Sequence, residues 1–280
     1  MPNTALEVLL ERLLGKLDAR APEAVNLDWK NVYAARWSAQ AATLKPIFHP
    51  QRISVVDLLA IDEQKARVDT NTRHFVAGKP ANNVLLTGAR GSGKSSLVKA
   101  VHAKYAERGL RLIEVDKAGL SSLPDLFDLL AETDYRFIVF IDDLTFAEHE
   151  SGYASLKAAL DGSLAGPAEN VLIYATSNRR HLMPEYMAEN LETRHVDDEV
   201  HPGETTEEKI SLSDRFGLWV SFHAMDQDTY LAIARYWTNK LGVSASAGFE
   251  RAALQWSLER SARSGRVAWQ FARDWAGRKS

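Results

Sequence analysis

Apolar positions follow two different periods along the chain. Near the amino terminus Leu6, Leu9, Leu10, Leu13, Leu14 and Leu17 recur at helical spacing, which predicts an amphipathic helix over about residues 5–18 with one face in need of a partner surface. Asp28 is placed to cap a second helix running to about Leu44, with Trp29, Tyr33 and Trp37 on one stripe, and Pro46 and Pro50 break the chain after it. A third helix is expected over about residues 62–77, closed by Gly78 and Pro80.

After Pro80 the pattern changes to short apolar runs separated by helical stretches. The runs that read as strands are Asn83–Thr87, Arg111–Val115, Phe137–Ile141, Val171–Ala175 and Leu218–Phe222. Strands separated by helices pair in parallel, so an α/β fold is expected, with a parallel five-stranded sheet flanked by helices on both faces. From about Asp226 onward the pattern is helical only. Residues 1–45 therefore read as an N-terminal helical extension, 46–225 as an α/β core and 226–280 as a small C-terminal helical lid.

Composition narrows the class without choosing a partner. Of 280 residues, 45% are hydrophobic and 25% charged, as in ordinary globular proteins, and the net charge of -3 gives no global pull toward nucleic acid. The absence of cysteine excludes disulfides, thiolate metal sites and a cysteine nucleophile. Glu7 and Glu11 interrupt the first apolar pattern, unlike a signal peptide, and no run is long enough for a membrane span; a cytoplasmic protein is expected. Locally the charge is polarised. Glu185–Lys209 carries nine acidic residues against Arg194 and Lys209, and reads as a solvated excursion or a partner-binding loop. Arg251–Ser280 carries seven basic residues against Glu259 and Asp274.

The strongest chemical signal is Gly88-Ala-Arg-Gly-Ser-Gly-Lys-Ser, between the first strand and the helix after it. This G-x-x-x-x-G-K-S spacing in a strand–loop–helix context is that of a phosphate loop. Gly88, Gly91 and Gly93 permit the turn and bring backbone amides close to phosphate oxygens, and the helix start adds partial positive charge. Ala89, Arg90, Ser92 and Ser96 complete the contact segment. Lys94 is placed to reach the β and γ phosphates of ATP, and Ser95 to offer its hydroxyl to Mg2+.

Phe137-Ile-Val-Phe-Ile-Asp-Asp ends a wholly apolar strand on two carboxylates. Asp142 could hold magnesium, partly through water, and Asp143 could orient an attacking water; the plainer alternative is an Asp cap on the next helix. Val171-Leu-Ile-Tyr-Ala-Thr-Ser-Asn releases Asn178 at the same sheet edge, either toward a γ phosphate or into a turn. Arg215 lies just before the last strand, where it could serve a neighbour's phosphate or pair with a nearby acid. Arg266, at the start of the final helix, could sense a phosphate from the lid or be one of the tail's basic residues.

In this order the residues resemble the AAA+ superfamily of P-loop ATPases, over about residues 50–275. More closely, Ala81–Val98, Leu110–Lys117, Val171–Met187, Ile210–Trp219 and Ser264–Trp275 resemble a small bacterial AAA+ family catalogued as a domain of unknown function. The resemblance implies a strand order that puts the Asn178 strand between the phosphate-loop strand and the Asp142 strand. It implies catalytic roles for Lys94, Asp142, Asp143, Asn178, Arg215 and Arg266, with Arg215 acting in trans in a homo-oligomer. It also implies an adenine side lined by residues such as Leu59 and Ile61 of Val55–Ile61. Two positions depart from the superfamily pattern: Ala60 replaces a common Gly, which is expected to alter the turn, and Asp143 replaces a common Glu, a shorter acid that points to slow turnover.

The expected function is that of an oligomeric ATPase acting on an unidentified macromolecular client. A nucleotide-gated interaction module and a small-molecule kinase are the alternatives. Nucleic acid is possible as client but not favoured, and no membrane partner is expected. His181, His195 and His201 fit no compact metal pattern, and Trp256, Trp269, Phe271 and Trp275 read as helix packing rather than base stacking.

Overall fold

The computed structural model describes residues 27–146, 151–161, 169–178, 194–196, 199–201 and 212–278. The leucine-rich segment near residues 5–18, the pair Arg179–Arg180, the run Glu148–Glu150 and most of the acidic excursion lie outside them. So do His181 and the side chains of His195 and His201.

Five apolar runs form strands where the alternating pattern and turn residues place them. They are β3 (Val84–Gly88), β4 (Leu110–Val115), β5 (Arg136–Ile141), β6 (Val171–Ser177) and β9 (Leu218–Phe222). The interiors of β3 to β6 are buried on both sides because helices cover both faces, while β9, at the sheet edge, keeps Ser221 exposed. Successive side chains go to opposite faces. In β5, Phe137, Val139 and Ile141 join one apolar cluster, with Leu123, Leu126 and Leu130 of α3 (Leu123–Ala131) and Leu156 of α4 (Ser151–Asp161). Ile138 and Phe140 join the other, with Val68 and Phe75 of α1 (Asp62–Val76) and Leu97, Val98 and Val101 of α2 (Lys94–Tyr105).

The main sheet has seven strands rather than five: β1 (Ala34–Ser38) and β2 (Thr43–Pro46) join the five, in the order β2-β1-β4-β5-β6-β3-β9. All neighbours are parallel except β1 and β2. As the resemblance implied, β6 lies between β3 and β5.

The two added strands correct the helix expected over residues 28–44, and with it the reading of residues 34–45 as part of a helical extension. Trp29, Tyr33 and Trp37 have helical spacing, but Ala34 packs on one face of the sheet while Ala35 and Trp37 pack on the other. The deciding partner is remote in sequence. β4 would otherwise end the sheet with unpaired backbone groups, and β1 satisfies them, with Ala34, Ala35 and Arg36 opposite Leu112, Ile113 and Glu114. Arg36 donates to Glu114 through Nε at 3.0 Å and NH2 at 2.8 Å, and Trp37 Nε1 donates to Ser122 Oγ at 2.8 Å.

The buried Arg111 fastens the chain before β1. Its guanidinium donates to the carbonyls of Trp29, Ala106 and Leu110 and lies over the rings of Tyr33 and Tyr135, 4.8 and 4.4 Å from their centroids. Within the acidic excursion, β7 (Arg194–Val196) and β8 (Glu199–His201) pair antiparallel as a separate two-stranded element.

After β9 the chain is helical: α5 (Gln227–Lys240), α6 (Phe249–Glu259) and α7 (Gly265–Gly277). They share a core of their own that includes Tyr230, Ile233, Phe249, Ala253, Phe271 and Trp275. No helix among the described residues is long and apolar enough to cross a membrane.

His102 of α2 is 4% exposed and its Nε2 donates to the Tyr33 carbonyl at 2.9 Å. Burial pushes its pKa down from 6.5 to about 4, against the hydrogen bond to Tyr33 and with help from the Arg111 charge. The unfolded chain therefore takes up the proton first. Stability is full above pH 6.5 and is lost as pH falls toward about 4, by roughly 3 kcal/mol at most. Denaturant unfolding across this range should show His102→Gln with a shallower pH dependence than wild type; identical slopes would exclude His102 as the cause.

Candidate functional site

The phosphate-loop segment is shaped by backbone angles that favour glycine. Gly88, Gly91 and Gly93 have φ of +129°, +73° and +106°. At Gly88 a Cβ would come within 2.0 Å of the Phe222 carbonyl oxygen, so the close β3–β9 pairing also requires glycine. α2 starts at Lys94, and its free amides face the crest of the loop.

Lys94 is 5% exposed, and its Nζ donates to Gly88 O at 2.7 Å, Ala89 O at 2.8 Å and Asn178 Oδ1 at 3.0 Å. Burial pushes the ammonium pKa down. Asp142 and Asp143 oppose the shift, while Arg266 and Arg90 add to it. The Asn178 amide is used at both ends, since its Nδ2 donates to Asp143 Oδ1.

Beside this chain runs a second one. Ser95 Oγ and Thr176 Oγ1 each donate to Asp142 Oδ1 at 2.6 Å, and Asp143 N donates to Thr176 Oγ1 at 2.9 Å. Thus Lys94, Ser95, Asp142, Asp143 and Asn178, expected to act together, are brought together at the carboxyl ends of β3, β5 and β6. Thr176 was missed. Its signal was its place two residues before Asn178, on the same side of the strand.

Two non-glycine residues here have left-handed backbone angles, Ala60 at φ +59° and Asp143 at φ +54°. Ala60 thus keeps a conformation suited to the Gly common at that position. Asp is among the residues that tolerate this region best, which accounts for the shorter acid at 143.

A cavity of about 580 Å³ opens from the loop. Gly91–Ser96, Asp142 and Arg266 line its polar end. Its apolar part is bounded by Leu58, Leu59 and Ile61 on the core side and Ile233, Trp237 and Trp269 on the helical side. Leu59 and Ile61, expected on the adenine side, both line this cavity. Trp269 does pack as a helix residue, against Trp237 at 4.7 Å between centroids, but it also lines the cavity.

The buried Asp57 was not anticipated either. Its Oδ1 accepts from Tyr236 OH at 2.5 Å and from Lys240 Nζ, tying α5 to the core. Burial alone would raise the Asp57 pKa, but the bonds from Lys240 and Tyr236 outweigh it and leave the carboxyl below its ordinary value.

Arg266, one residue into α7, reaches the site because the cap of that helix rests on the loop. Ser264 Oγ accepts from Val267 N at 3.3 Å, and a Cβ on Gly91 would lie 2.7 Å from that same Oγ. Arg215 is not brought to this site. It follows a helical turn over residues 212–214 and precedes β9, at the sheet edge opposite Gly88, where its Nε donates to Asp161 Oδ1.

The residues fit a phosphorylated ligand with a divalent cation. Ser92 Oγ is buried and, among the described residues, has no hydrogen-bond partner, as expected of a donor kept for a phosphate oxygen. Ser95 Oγ and Asp142 Oδ1 are hard oxygen donors of the kind magnesium takes. Among the described residues no group of three or more His, Cys, Asp or Glu could hold a metal without such a ligand.

A family model described as a protein of unknown function (DUF815) matches residues 30–279. Among solved structures, a mutant of Thermotoga maritima RuvB is similar at 17% identity and a TM-score of 0.51, over 80% of this chain and 65% of that one. Thermotoga maritima RuvB described as a Holliday junction branch migration motor is similar at 15% identity and a TM-score of 0.48, over 79% and 63%. The chain thus spans less than two thirds of the length of these structures, and the likeness to the first is one of fold. No curated protein matches.

The contact between loop and helical end can be isolated by substitution. Gly91→Ala and Gly109→Ala both force a side chain into a left-handed backbone angle, but the Cβ at 109 meets open space. Each should lose roughly 1–3 kcal/mol of unfolding free energy from strain, with Gly91→Ala losing clearly more. Equal losses in denaturant titrations would count against the contact.

Proposed function

The chain belongs to the DUF815 family, and on the premise of its AAA+ P-loop fold we propose that it binds ATP and hydrolyses its β–γ bond to drive work on a macromolecular client. The observation that carries this reading is the joining of Lys94, Asn178 and Asp143 beside Ser95, Asp142 and Thr176. One chain links the cation expected at the phosphates to the carboxylate expected at the water. The other presents oxygen donors for a metal.

In this reading the backbone amides of residues 91–95 and the Ser92 hydroxyl cradle the phosphates, and the Lys94 ammonium exchanges its loop carbonyls for phosphate oxygens. Ser95 and Asp142 would hold magnesium, which when bound would supply positive charge to offset that of the phosphates. Asp143, steadied by Asn178, orients a water in line with the γ-phosphorus. Attack forms a new oxygen–phosphorus bond as the bond to the β–γ bridging oxygen breaks, releasing ADP and inorganic phosphate with the water's proton passed to solvent or phosphate. The apolar end of the cavity takes the base, with Leu59 and Ile61 on one side. Arg266 connects the phosphates to the angle of the helical end.

Arg215, held by Asp161 at the far edge of the sheet, is a candidate to complete the site of a second copy. That assignment makes the active form a homo-oligomer. Which client the assembly acts on is open to capture with an Asp143→Asn variant held with ATP.

Three measurements test the proposal. Lys94→Ala should weaken ATP binding at least about tenfold, the loss expected for a charge-assisted contact to phosphate; undiminished affinity refutes the site. Magnesium-dependent phosphate release without an added acceptor separates an ATPase from a kinase. Activity per subunit should rise with protein concentration, and Arg215→Ala should depress it while leaving ATP affinity intact. A dilute monomer with full specific activity excludes the trans arginine.

A further inference from the structure

Arg90 stands in the phosphate loop between Gly88 and Gly91 with its side chain 80% exposed. Its NH2 lies 4.0 Å from Asp143 Oδ2, while Asp143 Oδ1 takes Asn178 Nδ2. Asn178 Oδ1 accepts from Lys94 Nζ at 3.0 Å. Two cations from one short loop therefore flank the same Asn178–Asp143 pair. Arg266 also lines the cavity at the loop, but it arrives on a separate helix, whereas Arg90 is carried by the loop itself.

An ion pair this exposed and this long stabilises little and exchanges partners readily. A terminal phosphate offers more negative charge than one carboxylate, and its oxygens suit the guanidinium fork. The exchange asks only for rotation of an exposed side chain, not for movement of the loop backbone.

Resting on the reading that this loop holds a nucleoside triphosphate, we propose that Arg90 reads the terminal phosphate. With a triphosphate bound, Arg90 leaves Asp143 for a γ-phosphate oxygen and frees Asp143 Oδ2 for the water. With a diphosphate bound, it returns to Asp143 and masks it. No covalent bond changes in this step; one ion pair replaces another. Arg90 thereby becomes the residue by which the site tells triphosphate from diphosphate.

The test uses the full chain and calorimetric binding of two probes with magnesium, the non-hydrolysable analogue AMP-PNP and ADP. Arg90→Ala should weaken AMP-PNP about tenfold and ADP less than about threefold. Arg90→Lys should recover part of the AMP-PNP loss. Asp143→Asn, which removes the competing carboxylate, should tighten AMP-PNP relative to ADP. The melting temperature of the nucleotide-free protein should not move in Arg90→Ala, because the side chain is exposed.

Equal losses for both probes, with or without a drop in melting temperature, assign Arg90 to general loop structure and overturn the proposal. No loss for either makes it a plain surface cation and overturns it too. In both cases wild-type binding leaves the nucleotide reading standing. Wild-type protein that binds neither probe removes the nucleotide reading and this one with it.

Discussion

The site is organised around a buried ammonium. Lys94 is withdrawn from water at the start of α2, where the helix also contributes partial positive charge, so its cation needs neighbours that can bear it. Two loop carbonyls and the Asn178 amide supply them, and two carboxylates lie close enough to matter. This requirement explains why the strand order counts. Only with β6 between β3 and β5 does Asn178 stand between Lys94 and Asp143, accepting from one and donating to the other. The seven-stranded sheet can be seen as the scaffold for that one alignment.

Much of this was legible because its signals are local. A strand that ends in glycine and resumes as a helix at Lys-Ser states its turn chemistry within eight residues, and the apolar run before Asp142 states its burial. What sequence missed depends on contacts between distant segments. β1 became a strand because β4 had an open edge, and no pattern within residues 28–44 records that edge. Asp57 lay inside a segment already marked as lining a pocket, yet its value comes from Tyr236 and Lys240, which are remote in sequence. Thr176 was visible by its period but silent about its partners, since a threonine hydroxyl can bridge two acidic residues only once the strands are placed.

The helical end is attached to the core by chemistry of two kinds. At the apolar part of the cavity the attachment is ionic, between the buried Asp57 carboxylate and the half-exposed Lys240, and loss of Lys240 would leave the Asp57 charge with only Tyr236 to support it. At the phosphate end it is steric, through Gly91, Ser264 and Gly265, where backbones approach closely and no charge is shared.

The contact at Gly91 has a consequence for how such sequences can drift. Ser264 cannot shrink without losing the cap of α7, and a Cβ on Gly91 would lie 2.7 Å from the Ser264 hydroxyl oxygen. Positions 91 and 264 are therefore not independent letters of the alphabet. Related chains should change them together or leave both alone, and a recombinant that takes its loop from one relative and its last helix from another should inherit a mismatch that neither parent carries.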